Sequence, residues 1–327
     1  MNYPIELSTS NITPKHKIIQ YTNILQINNL HSTFIRSLLI LTDNRIATSG
    51  GKSISICSLN PFNKQWTQDI NKQNIHNEDI KSINELKPYI LGSCSSDKTI
   101  KIWSISQTDL TLLKTLTSHT NIVWSIIPFQ QNTFASCSKD CTIKIWETNN
   151  NLFQELTSLS HRNEVRSIMY IQQRSILVSC LNSPSNCILF WNTNTLEHNG
   201  KIIKEHFAFN SSHMISLPNG NLVISSKSDG NPIIVVDTVK YIIIRIIYLR
   251  GFITGYSSIC VVNNYSFIYV YDGNIVQVDN CEYNILSCDK QGYELYGYGG
   301  VCSFNEGKFL VIQNIHKGIS IIELYYK

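Results

Sequence analysis

The sequence predicts an all-β chain of seven repeated units, and three observations carry the prediction. The first is a near-duplicate undecapeptide: SCSSDKTIKIW (Ser93–Trp103) returns 43 residues later as SCSKDCTIKIW (Ser136–Trp146). A degenerate third copy, SCLNSPSNCILFW (Ser179–Trp191), has a turn two residues longer. The second is a set of histidines upstream in the same phase, His31, His76, His119 and His161. The third is an apolar residue closing each unit: Cys57, Trp103, Trp146, Trp191, Val236, Val278 and Ile322, at spacings of 46, 43, 45, 45, 42 and 44. Self-similarity at a fixed period of this size marks a repeat architecture.

Within a unit the elements follow in order. The third reads IVWSII, TFASCS, TIKIW and LFQELT, short alternating runs rich in β-branched residues and separated by turn residues. Alternation of period two predicts half-buried strands. Four strands in about 40–45 residues is the pattern of a β-propeller blade. One blade cannot bury both faces of its sheet, whereas a ring of blades can. The expected blades are 31–75, 76–118, 119–160, 161–205, 206–250, 251–292 and 293–327. Residues 1–14 are expected as a loose terminus and 15–327 as a single ring. Unit seven lacks an outer strand after Ile322, and Tyr21–Asn28 (YTNILQIN) aligns with TLLKTLTS before His119. The N-terminal strand is therefore expected to pair onto unit seven and remove the open edges.

Composition narrows the function. The 327 residues are 43% hydrophobic and 15% charged, with a formal net charge of +4 from 27 basic and 23 acidic side chains. That is a globular composition, and its small excess, without a basic run, argues against a polybasic nucleic-acid face. The start MNYPIELSTSNITPKHK is no signal peptide. The most apolar run, YIIIRIIYL at Tyr241–Leu249, is too short for a bilayer and carries Arg245. It reads as a buried strand. A reducing compartment, cytoplasmic or nuclear, is expected, with the ten cysteines as free thiols.

On these residues the chain resembles the WD-repeat family. Its strongest units carry His76, Ser93, Asp97 and Trp103, then His119, Ser136, Asp140 and Trp146, matching the family's structural tetrad in order and spacing. The resemblance implies an all-β, seven-bladed WD-repeat β-propeller of four-stranded antiparallel blades, with the N-terminal strand closing the last. It also implies that each tetrad is a hydrogen-bonded chain tying the third strand to the second and to both adjoining turns. Ser136, His119 and Asp140 in isolation would suggest a hydrolytic triad. The same constellation one repeat earlier favours the structural reading, and no G-x-S-x-G elbow is present. Cys94, Cys137 and Cys180 follow the serines at intervals of 43, where the family has a small residue. Cys137-x-x-x-Cys141 lacks a second pair, and the chain has no C-x-x-C, so neither metal nor cofactor is expected.

The pattern weakens along the chain. The closing dipeptides are Trp103-Ser104, Trp146-Glu147 and Trp191-Asn192, then Val236-Asp237, Val278-Asp279 and Ile322-Glu323. Asp229 and Asp272 are expected in the tight turn of units five and six, with His316 in that slot in unit seven and Gly50-Gly51 in unit one.

In the family, positions three and five residues after the repeat histidine, and the one before the turn aspartate, tend to face peptides at the narrow end of the ring. Mapped here they are Phe34 and Arg36, Asp79 and Lys81, Ile122 and Trp124, Glu164 and Arg166, with Ser96 and Lys139 before the aspartates. By phase, His213 and Tyr256 take the second slot in units five and six. Arginine and aromatic residues are favoured interface anchors, and this set suits an acidic, phosphorylated or carboxylate-bearing peptide. The expected function is a non-catalytic scaffold or adaptor, a monomeric ring within a larger complex and without membrane insertion. An RNA-binding ring is the second reading and a catalytic ring the third. Few acids are present and none is clustered as a catalytic site requires.

Overall fold

The structure is a computed structural model that describes residues 19–60, 63, 65–149, 152–182, 187–203, 213–225, 232–248, 257–263, 266–271, 274–280, 283, 285–290, 301–304, 309–313 and 316–326. Residues 1–14, Asp229, Tyr256 and Asp272 lie outside them. The strands form seven four-stranded antiparallel sheets, the blades of a propeller. Blade 3 is representative, with strands a to d at Val123–Pro128, Thr133–Ser138, Thr142–Glu147 and Glu155–Ser160. The blades span 35–72, 80–116, 123–160, 165–203, 214–247, 257–290 and 301–326. The last holds only three strands of its own, and Ile19–Ile27 adds the fourth by pairing antiparallel with Ile319–Tyr326. The expected closure is thus present.

The seven closing residues occupy one register. Each sits on strand c opposite an apolar residue of strand b, as in Trp103–Leu91, Trp146–Phe134, Val278–Phe267 and Ile322–Leu310. On the other side, strand d carries one extra residue beside it in every blade: Asp69, Leu113, Leu156, Asn199, Ile244, Leu286 and Ile24. Such a bulge bends a strand and raises its local twist, as a blade steep at its rim requires.

The apolar core is divided into seven clusters, each made by two neighbouring blades. Alternation along a strand distributes the side chains. In blade 6, Phe267 and Tyr269 face blade 5, while Ile268 and Val270 face blade 7. Strands buried on both sides therefore read as unbroken apolar runs. Four seams are bolted from below by a large residue before strand d. Phe153, Leu196, Tyr241 and Tyr283 have φ of 43°, 59°, 55° and 61°, and they pack into the seams with blades 2, 3, 4 and 5. Non-glycine residues adopt this left-handed region at a cost, here offset by burial. Tyr283 also accepts a hydrogen bond from Asn221 Nδ2 of blade 5 at 2.7 Å.

One expectation is overturned. The run at Tyr241–Leu249 is not a buried strand: Ile242–Ile247 is the outer strand of blade 5. Ile242 is 47% exposed and Ile244 40%. Three of its residues turn inward, Ile243 and Ile246 toward blade 4 and Ile247 toward blade 6. An edge strand can thus be apolar throughout without being central.

The clasp is pinned where the chain leaves Ile27. The Asn29 and His31 N–H groups donate to the carbonyls of His316 and Lys317, at 2.9 and 3.3 Å. Gly318 lies so close that a methyl there would overlap the Ile27 carbonyl oxygen. Gly318→Ala is expected to destabilise the ring by on the order of 3 kcal/mol, the scale of a backbone clash at a buried junction. Urea unfolding checks this, and an unchanged midpoint would contradict the tight junction.

Candidate functional site

The end of the ring that carries the b–c turns, here the upper face, holds both groups of residues that the sequence singles out. In blade 2, Trp103 Nε1–H donates to Ser93 Oγ at 2.9 Å, and Ser93 Oγ lies 2.8 Å from His76 Nε2. His76 Nδ1 lies 2.9 Å from Asp97 Oδ2. Blade 3 repeats this with 2.8 Å from Trp146 to Ser136, 2.8 Å from Ser136 to His119 and 2.7 Å from His119 to Asp140. With the imidazole in its neutral Nδ1–H tautomer, donors and acceptors match along the whole chain. The indole donates to the serine, the serine hydroxyl to Nε2, and Nδ1–H to the carboxylate.

The carboxylates are anchored further. Asp97 also accepts from the Asn77 N–H at 2.9 Å and the Thr99 hydroxyl at 2.6 Å. Asp140 does so from the Thr120 N–H and the Thr142 hydroxyl. Burial alone would raise both carboxyl groups, but the hydrogen bonds from the histidines and threonines outweigh it and hold them well below the usual range. Ser93 and Ser136 are wholly buried, so these hydroxyls bridge strands b and c and cannot meet a substrate.

Blades 1 and 4 modify the chain. In blade 1, His31 Nδ1 meets Ser53 Oγ at 2.7 Å and Nε2 meets Thr48 Oγ1 at 2.9 Å. Cys57 replaces the tryptophan, and Gly50 leaves room for the imidazole, because a Cβ there would lie 2.7 Å from His31 Cγ. In blade 4, Trp191 and His161 share Ser179 at 3.1 and 3.2 Å, and His161 Nδ1 meets the Leu159 carbonyl at 3.1 Å. Neither imidazole has a carboxylate partner in these bonds. Burial therefore lowers His31 to about 4, and it lowers His161 to about 4 against the opposing Leu159 carbonyl. Cys94, Cys137 and Cys180 are buried on strand b, and burial pushes Cys180 up to about 12. These thiols pack and do not react. Among the described residues no three His, Cys, Asp or Glu side chains group as a metal site, and no helix is long and apolar enough to cross a membrane.

The second group is built by a local irregularity. Strand a of blades 1 to 4 gains one extra residue against strand b, and the four extra residues are Arg36, Lys81, Trp124 and Arg166. A bulge re-aims its side chain. In blade 6 the pairing runs unbroken from Ser257 to Val261. Strand a of blade 5 is only Met214–Ser216. His213 is in register with Ser125, since its carbonyl accepts from the Ser225 N–H. It lies one residue past the expected slot, which falls on Ser212, outside the described residues. The signal for the bulges is present in the sequence as Ile-Arg-Ser, Ile-Lys-Ser, Val-Trp-Ser and Val-Arg-Ser at the same point of each unit.

The residues three after each histidine lie just before the bulges. The carbonyls of Asp79, Ile122 and Glu164 accept the N–H of Ser96, Lys139 and Asn182, which locks strand a to the b–c turn. The side chains make a continuous arc. Asp79 Oδ2 lies 3.4 Å from Arg36 and 3.7 Å from Lys81. The Arg166 guanidinium stacks 3.8 Å from the Trp124 ring centroid, with Lys81 Nζ at 5.7 Å. Arg166 Nε donates to Glu164 Oε1 at 3.0 Å, and the Asn182 amide bonds the same carboxylate. Burial and repulsion from Arg36 and Arg166 lower Lys81 against the pull of Asp79. Trp124 packs on the seam of blades 3 and 4, and its buried indole N–H has no partner among the described residues. Phe34 and Lys139 are exposed beside the arc.

Residues 69–104 and 110–147 match the family model described as WD domain, G-beta repeat. No curated protein matches the chain.

Ser136→Ala would strip both the Trp146 indole and His119 Nε2 of their partner. A loss of about 2–4 kcal/mol is expected, and a smaller one for Ser179→Ala, whose bonds are longer; paired urea titrations compare them. For His31 and His161 the unfolded chain binds more protons than the ring between pH about 6.5 and about 4. Their contribution is complete above 6.5 and is lost as pH falls toward 4, at up to about 1.4 kcal/mol per pH unit for each histidine. The urea midpoint should fall between pH 7 and 5, and more shallowly in the double variant His31→Gln, His161→Gln.

Proposed function

We propose that this chain, a WD40-repeat β-propeller, is a non-catalytic scaffold that binds proteins or peptides through the upper face of blades 1 to 4, within a larger cytoplasmic or nuclear complex. One observation carries the reading. A bulge at the upper end of strand a is present in each of these four blades and absent at that point in blade 6, and it presents three cations and one tryptophan on one face. WD40 propellers are typically protein-interaction scaffolds, and arginine and tryptophan are the residue types that dominate such interfaces. The tetrads, in contrast, spend their polar groups on one another, as structural networks do. Phe34, Asp79, Lys139 and Glu164 complete the proposed surface, with His213 at its margin.

The test is affinity capture with wild type and with the triple variant Arg36→Ala, Trp124→Ala, Arg166→Ala, once circular dichroism shows that both are folded. Partners identified by mass spectrometry should be lost from the variant by tenfold or more, about 1.4 kcal/mol or beyond. Partners that persist unchanged would move the binding surface elsewhere on the ring.

A further inference from the structure

We infer that Arg166, Trp124 and Lys81 form a seat for a single oxyanion, a phosphoryl or carboxylate group carried by a peptide. The inference rests on the reading of the upper face as a peptide surface and specifies the group recognised there.

Arg166 is held on two sides and open on the third. Its Nε is tied to Glu164 at 3.0 Å and its plane is stacked 3.8 Å from the Trp124 centroid. Its two terminal nitrogens have no acceptor among the described residues. A guanidinium fixed in this way presents two parallel N–H donors, the fork that matches carboxylate and phosphate oxygens. Because the side chain is already ordered, little rotamer entropy remains to be lost on binding. Its side chain is 26% exposed, so the fork is reachable.

Lys81 supplies the second cation. Its ammonium lies 5.7 Å from the Trp124 centroid and 3.7 Å from Asp79, too long for a good hydrogen bond. Arg36 and Arg166 repel it, and it shares the Asp79 carboxylate with Arg36. Lys81 and Arg166 thus place two positive charges beside the Trp124 ring, and both would attract an incoming oxyanion. The bulges fix these groups on strands and not on loops, so the seat exists before its ligand arrives.

The test titrates the full-length chain, at constant ionic strength, with four short acetylated peptides. One carries phosphoserine, one glutamate and one a free C-terminal carboxylate. The fourth is a neutral amide of alanine. Inorganic phosphate serves as competitor, and tryptophan emission and calorimetry are the readouts. At least one anionic peptide should bind saturably, the neutral one should not, and phosphate should compete. Which peptide binds identifies the source of the oxyanion. Arg166→Lys keeps the charge and removes the fork, and it should weaken binding by about tenfold or more. Lys81→Gln should weaken it by a smaller factor, and Arg162→Lys, on the neighbouring loop, should leave it unchanged. Absence of saturable binding by every anionic probe overturns the seat, as does an Arg166→Lys variant that binds like wild type. Anion binding without any captured protein would leave the seat and remove the peptide-scaffold reading. Captured partners indifferent to phosphate and to Arg166→Lys would do the reverse.

Discussion

No blade of this ring has a core of its own. Every one of the seven apolar clusters is shared by two adjacent sheets, down to the pair formed by blades 7 and 1. A single blade would leave both faces of its sheet in water, and an open row of seven would leave two. Burial therefore depends on closure, and closure depends on the backbone hydrogen bonds between Ile19–Ile27 and Ile319–Tyr326. The local features serve that requirement. The outer bulges set the twist that lets neighbouring sheets meet, and the left-handed bolts fill the seams at the lower edge. The upper networks tie strand c to strand b where blades 1 to 4 are most polar.

The seven blades solve one packing problem in two ways. In blades 2 and 3 a buried serine, histidine and tryptophan satisfy one another. In blades 5, 6 and 7 the serine slot holds Ile224, Tyr269 and Ile312, and the tryptophan slot holds Val236, Val278 and Ile322. Removing the indole removes the need for a serine hub, and both slots change together in these three blades. A half-retained network would leave buried groups unpaired, which costs more than an apolar core. Blade 1 is the intermediate case: it keeps the histidine, drops the tryptophan and exchanges the carboxylate for a neutral hydroxyl, and its imidazole becomes hard to protonate.

Much of this was legible in the sequence because repetition amplifies weak signals. One Ser-x-x-x-Asp run means little, but two copies 43 residues apart with histidines in phase reveal the blades, and counting closing residues reveals their number. The clasp followed from an unpaired strand at each end. What escaped has physical reasons. The run YIIIRIIYL looks central by composition, yet a strand's place in a sheet is set by which neighbours it pairs with, and hydropathy does not encode that. The strand-a bulges were written in the sequence as the residues between a β-branched side chain and a serine, but one extra residue per strand is invisible until register is known. The left-handed backbone of Tyr241 and Tyr283 was not legible, because local preference disfavours it and only the pocket offered by the preceding blade outweighs that preference. In the candidate site, the positions Arg36, Lys81, Trp124 and Arg166 followed from phase. Their mutual stacking and pairing did not, since side chains 43 residues apart meet only after the ring forms.

The clasp also sets a timetable for the nascent chain. Of the described strands Ile19–Ile27 leaves the ribosome first, and its partner Ile319–Tyr326 follows roughly 290 residues later, about 15–60 s at ordinary elongation rates. Throughout that interval the blades can assemble only from the second strand-set onward. The first strand must wait as an unpaired, isoleucine-bearing segment, and the seam between blades 7 and 1 must stay open. The ring therefore cannot close before its last strand is made, and the period of greatest exposure to aggregation and to chaperones is set by the distance between its two clasping strands.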